Sequence, residues 1–263
     1  MRVLAVLLLL CFGPLTAAAQ APALLSHRAV YHLGLARADS ASGIVGAQGL
    51  LVMEWNNVCD GYAFTQRIRN ELHQADNRYT ADLIVSSWEA RKGDSFRFNS
   101  RYVVNDTTVE ETRGLSTLGD TKRVAHFEKP EQKAIALSAG TMFPTQYALH
   151  LIDRATLGEQ FVRVPVFDGS SVDGLKETSA VISRDLPPGS YEGTGAVVLG
   201  PLRSWRVRVA YFKHSDLAAD SRPEYEVAFR LFENGVSTDV VLDYGGFALK
   251  GVLKLLKPLP TYC

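Results

Sequence analysis

The chain has 263 residues, with 28 Lys plus Arg against 28 Asp plus Glu and 46% hydrophobic residues. That balance leaves no basic excess for nucleic acid and no acidic tail. The length suffices for one large all-β domain with a sizeable core, and neither a fixed-period repeat nor a low-complexity linker divides it.

The first stretch reads as an export signal. Arg2 opens a short positive segment, residues 3–12 are continuously apolar, and Gly13-Pro14 breaks the run before Ala17-Ala18-Ala19. Small residues at that spacing are what a signal peptidase reads. The apolar core is shorter than the ~20 residues a membrane-spanning helix needs, and no later segment is apolar for long enough. The expected layout is a signal peptide over 1–19 and one β-rich domain over 20–263, exported and without a transmembrane segment.

Strands then follow one another. In residues 27–37, Ala29, Tyr31, Leu33 and Leu35 alternate with the rest, the period of a half-buried strand. Residues 44–55, rich in Gly, Val and Leu, and 62–72, where Phe64, Gln66, Ile68 and Asn70 alternate with more polar neighbours, also read as strands, and 79–90 and 96–104 follow, separated by the turn residues Arg91-Lys92-Gly93-Asp94. Shorter strands are expected at 109–112, 122–127 and 133–137. Residues 141–159 are the exception. Pro144 suits a first helical turn, Leu151, Ile152 and Ala155 recur at helical spacing, and Gly158 stops the run. One main α-helix is predicted, at about 144–156, with an apolar face that must be covered.

Strands resume at 161–167 and 175–183, around turn residues 168–174. Trp205, Val207, Val209 and Tyr211 alternate with Arg206, Arg208 and Ala210, and Tyr225, Val227, Phe229 and Leu231 repeat the pattern. Asn234-Gly235 is expected to be a two-residue hairpin turn into 236–244. Residues 247–256 read as a last strand or a helix-like segment, before Pro258 and Pro260 lead to Cys263. Roughly a dozen strands are too many for a flat open sheet. The expected fold is mainly β: a large curved, spiral or barrel-like antiparallel sheet with that one helix.

With the signal removed, three cysteines become two, Cys59 and Cys263, and an even pair in an exported protein reads as a disulfide. The alternatives are two free thiols or a metal site. A metal site would want a C-x-x-C or a histidine pair at ligand spacing, and neither is present.

The order of motifs resembles the EipB family of cell-envelope integrity proteins. The matching pieces are His27-Arg28-Ala29-Val30-Tyr31, Cys59-Asp60-Gly61, Gly140-Thr141-Met142-Phe143-Pro144-Thr145, Phe167-Asp168-Gly169, residues 205–212, Asn234-Gly235-Val236, Asp243-Tyr244-Gly245 and the terminal Cys263. The resemblance implies a periplasmic protein with a spiral-like antiparallel β architecture, a disulfide between the two matching cysteines, and a role in keeping the bacterial envelope intact under stress. It also implies a structural likeness to periplasmic lipoprotein carriers, and it brings no catalytic residue.

No stretch of the sequence carries a catalytic signature. Residues 169–174 lack the G-x-S-x-G spacing of a nucleophile elbow. Asp168 and Asp173 lack the alternating ligands of a calcium loop. Glu110 and Glu111 face opposite sides of a strand. The six histidines stand singly. No enzyme activity, cofactor or metal is expected. The row Arg203, Arg206 and Arg208 is either a solvated face or a contact for lipid phosphates. The aromatics either fill a sheet core or line a groove for a protein partner or an acyl chain, with Phe143, Tyr147, Trp205 and Tyr211 as the candidate groove. The function expected is non-catalytic support of the envelope through such a concave face. The rivals are a lipid or lipoprotein carrier with an apolar cavity and an unrecognised hydrolase.

Overall fold

Period-2 alternation runs through almost the whole chain, and it builds one sheet. A computed structural model describes residues 24–119, 122–214 and 222–261, so the signal segment and Cys263 lie outside the described residues. Eight strands come first: β1 (His27–Ala38), β2 (Ile44–Val58), β3 (Gly61–Gln74), β4 (Arg78–Ala90), β5 (Ser95–Val104), β6 (Thr107–Leu118), β7 (Arg123–Lys129) and β8 (Lys133–Ala136). Helix α1 (Pro144–Thr156) follows, then β9 (Phe161–Phe167) and β10 (Leu175–Ile182). A single turn of helix, α2 (Ala196–Leu199), precedes β11 (Ser204–Lys213), β12 (Tyr225–Phe232), β13 (Ser237–Asp243) and β14 (Phe247–Pro258).

The fourteen strands form one antiparallel sheet in the order β8-β7-β6-β5-β4-β3-β2-β1-β14-β13-β12-β11-β10-β9. Each half is a meander of neighbours in sequence, and the pairing of β1 with β14 welds the halves together at the centre. No ladder joins β8 to β9 among the described residues, so the sheet is curled but not closed into a barrel.

Most predicted elements hold, with α1 at its expected limits. Four details differ. β6 continues to Leu118, because Ser116 and Gly114 supply small inward positions opposite Phe96 and Phe98. The last segment is a strand and not a helix, since Leu249, Gly251 and Leu253 pair with β1 on the buried face. The Asn234-Gly235 turn is not a two-residue one. Only Gly235 takes positive φ (84°), Gly235 donates to Phe232 O, and Phe232 N donates to Val236 O. That is a three-residue loop with a left-handed glycine at its end. Finally, α2 was not expected. Its leading Gly195 sits at φ 83° against Leu256, and its Leu199 packs with Phe232 and Val236 on the outside of the β12–β13 hairpin.

The curl brings distant strands face to face. Phe96 and Phe98 on β5, Phe127 on β7 and Phe167 on β9 form a cluster with Phe143, with ring centroids between 5.0 and 6.4 Å apart. Thr112 Oγ1 on β6 donates to Gly169 O, beyond the end of β9, at 2.6 Å. Gly169 has φ 65°, and a Cβ there would sit 2.4 Å from the Phe98 ring, so this close approach requires glycine. Helix α1 lies inside the curl. Its Tyr147, Leu151, Ile152 and Ala155 pack against Trp55, Tyr62, Val162, Ile182, Trp205 and Leu231.

Candidate functional site: the concave face

Register fixes what faces inward. Leu51, Met53 and Trp55 on β2 lie opposite Ile68, Gln66 and Phe64 on β3, and those lie opposite Leu83, Val85 and Ser87 on β4. Near α1 this face is filled, and Trp55 is 9% exposed. Away from α1 it is not. Phe64, Gln66, Ile68, Leu72, Leu83, Val85 and Ser87 all point inward and are all only half-buried. On the facing wall Val227 and Phe229 are likewise half-buried, although they belong to the inner cores. A curved sheet of this size is too wide for its own side chains to fill, and an apolar trough remains.

The trough deepens beside α1 into a cavity of about 230 Å³. Its wall includes Met53, Trp55, Phe64, Ala148, Leu151, Phe229 and Leu231, with Ser87, Thr145 and His27 as polar points. That volume is below the ~300–1,000 Å³ of a site that encloses a whole drug-sized ligand. It suits one segment of a chain whose remainder lies along the trough. His27 is held by a 2.7 Å hydrogen bond from Nδ1 to Leu25 O, and burial lowers its pKa. The ring is therefore neutral, with Nε2 as an acceptor. Farther along, Asn70 is buried between Gly49 and Ala81, and its Oδ1 has no hydrogen-bond partner.

The residue that sequence reasoning missed is Glu89. It lies on the inner face of β4, 1% exposed, and its carboxylate caps α1 from a distance. Thr145 N donates to Oε2 at 2.7 Å and Gln146 N to Oε1 at 2.8 Å. These are two of the donors that every helix N-terminus leaves unsatisfied, and the helix supplies no cap of its own. Burial pushes the Glu89 carboxyl up to about 7, against the downward pull of the two amides. The missed signal is positional: Glu89 continues the inward phase of Leu83, Val85 and Ser87.

The four aromatics predicted to form a groove are placed otherwise. Phe143 (0% exposed) belongs to the aromatic cluster, and Trp205 (1%) to the packed wall behind α1. Tyr147 sits in that same core, where burial pushes its hydroxyl up to about 12. Tyr211 is half-buried and stacks on Tyr225 at 4.5 Å. The structure brings Tyr147, Trp205 and Tyr211 together, but none of the four lines the cavity. The basic row is on the outside, where Arg208 pairs with Glu226 at 2.7 Å and Arg203 with Asp185 at 3.4 Å. Residues 168–174 form a turn in which Ser170 N donates to Asp168 Oδ1.

Away from the central strands β2, β1 and β14, the outer face of the sheet is mainly charged. Cross-strand pairs cover it, among them Arg67–Asp82, Arg113–Glu128 and Lys129–Glu111. Apolar inside and charged outside is the reverse of a barrel whose exterior faces lipid. No helix among the described residues is long and apolar enough to cross a membrane.

Fold and site thus define a class: a curled antiparallel β protein with an apolar concave face and one helix packed inside it. The chain belongs to the EipB-like family, whose model matches residues 18–260. It is 34% identical over 246 residues to the "Cell envelope integrity protein EipB" of Brucella abortus (strain 2308), covering 92% of this chain and 87% of that protein. The crystal structure of a "Beta-barrel-like Protein of Domain of Unknown Function DUF1849" from Brucella abortus superposes with a TM-score of 0.83. The two chains are 32% identical, and the match covers 91% of this one and 100% of the other.

Proposed function

We propose that this protein acts in the periplasm to support envelope integrity, without catalysis, by holding an acyl chain in its concave trough. The observation that carries the reading is the inward row Phe64, Ile68, Leu83 and Val85, apolar yet half-buried, continuous with the cavity beside α1. Apolar side chains that face inward and stay accessible offer area that a chain would remove from water, at roughly 25 cal/mol per Å². The role in integrity rests on the relative's name, and the export on the signal-like N-terminus. Export of lipoproteins would be the carrier version of the same site, with the acyl groups of the cargo in the trough.

The test is native mass spectrometry of the protein purified from the periplasm, beside a Ser87→Phe variant. Ser87 lines the cavity, and a phenyl ring there fills it without burying a charge. The wild type is expected to carry extra mass in the range of an acyl chain or phospholipid, and the variant to carry less while melting no lower. Bare protein in both preparations, together with no uptake of added fatty acid, overturns the reading.

A further inference from the structure

The convex face at the centre of the sheet departs from the ion-paired exterior around it. Register places its outward side chains in rows across β3, β2, β1 and β14. One row reads Arg69, Leu50, His32, Val252 and the next Arg67, Val52, Val30, Leu255. Below them run Glu54, Arg28 and Lys257, and above them Glu71, Gln48, Gly34 and Lys250. A bulge between Val30 and Tyr31 adds Lys254 to the outer side. Leu50 and Val252 are each 45% exposed and Leu255 is 46% exposed, so an aliphatic island stands in solvent. Gly34 leaves a depression in it, bordered by His32, Lys250, Val252 and Lys254.

The island is ringed by cations whose nearby acids are already committed. Glu54 pairs with Arg28, Asp82 with Arg67 and Arg69, and Glu71 with His73 and Arg78. Lys250, Lys254 and Lys257 have no ion pair among the described residues. They stand on a chain with as many acidic as basic residues, so overall charge does not explain them.

We infer that this face docks on an anionic phospholipid surface, with the aliphatic island at the headgroup boundary and the lysines on the phosphates. Exposed aliphatics flanked by Lys and Arg match such a surface in both terms, apolar and electrostatic. A protein partner fits less well. Protein interfaces favour Tyr, Trp and Arg and are poor in Lys, and these strands are central, with no free edge to extend. The inference is independent of what the trough holds.

The test is co-sedimentation of the full mature chain with vesicles of phosphatidylcholine alone, or of phosphatidylcholine with phosphatidylglycerol, at low and high salt. Binding is expected only to the anionic vesicles and is expected to weaken with salt. Each of Lys250→Gln and Lys254→Gln is expected to weaken it about fivefold, and Val252→Ser is expected to weaken it further. Arg206→Gln, an exposed cation on β11, serves as the control and leaves binding unchanged. All four sites are exposed, and equal melting temperatures establish that the variants fold. Ser87→Phe changes only the interior, so vesicle binding by that variant stays at the wild-type level even if the trough holds nothing. No binding to either vesicle, equal binding to both, or binding indifferent to the two lysines overturns the inference.

Discussion

At the scale of single residues, Glu89 is the group whose environment departs most from its composition. A carboxylate buried with two amide donors and no cation holds its proton more tightly than the unfolded chain does, at about 7 against 4.5. Its contribution to stability is therefore complete below about 4.5 and is lost as pH rises through 7, a change of about 3 kcal/mol. Glu89→Gln should remove that slope. Urea unfolding of wild type and variant at several pH values gives the difference, which cancels every group they share. A difference flat between pH 4.5 and 7 would show that the carboxyl ionises as freely in the fold as outside it. Glu89→Ala is a separate case, because it strands two amide donors and should cost about 1–3 kcal/mol at any pH. Sequence alternation could have flagged the residue as an acid in an inward phase. It could not say that the partners come from a helix more than fifty positions away.

At the scale of elements, the legible parts were those whose information is local. Helix α1 carries Pro144 and an apolar stripe within its own length and Gly158 just past its end, so its limits followed from the residues alone, and the first five strands carry patterns that placed them closely. Element α2 was illegible because a single turn has no period to detect. It is held by contacts with Phe232, Val236 and Leu256, which are distant in sequence. The same distinction explains why two phenylalanines of β9 differ. Phe167 is fully buried where the curl presses β9 onto β5 and β7, whereas Phe161, on the same strand, is 73% exposed. Phe167→Ala is expected to lower stability by about 3–5 kcal/mol, and Phe161→Ala to change it by no more than about 0.5 kcal/mol. Comparable losses at both positions would mean that the two ends of the sheet do not pack together.

At the scale of the whole molecule, a curved many-stranded sheet could be read from strand number and pattern, but its unfilled interior could not. Alternation gives Phe64, Ile68 and Leu83 the same signature as Tyr31 and Leu249, yet the former are half-buried and the latter nearly fully buried. Only curvature and the position of α1 separate them, which is why none of the four aromatics chosen from sequence lines the cavity. Because no ladder closes the sheet, the molecule depends on cross-links of other kinds. We propose that the expected Cys59–Cys263 disulfide is one of them. Leu259 N donates to Ser26 O at 2.8 Å, and Asn57 N donates to Ser26 Oγ at 2.9 Å, so the tail leaves β14 alongside β1. The β2–β3 turn that holds Cys59 lies two strand spacings away, about 10 Å. Four residues follow Leu259 up to Cys263, a length of chain that spans about 13 Å when extended. Such a bond closes a loop of about 200 residues and in the chain-entropy model contributes roughly 5 kcal/mol. Cys59→Ser and Cys263→Ser should each lose several kcal/mol in non-reducing urea melts, the double variant should lose no more than either alone, and reductant should bring the wild type down to their level. Wild-type stability in all three variants, with or without reductant, would remove the bridge from this account and leave the packing of β9 on β5 and β7 to hold the curl.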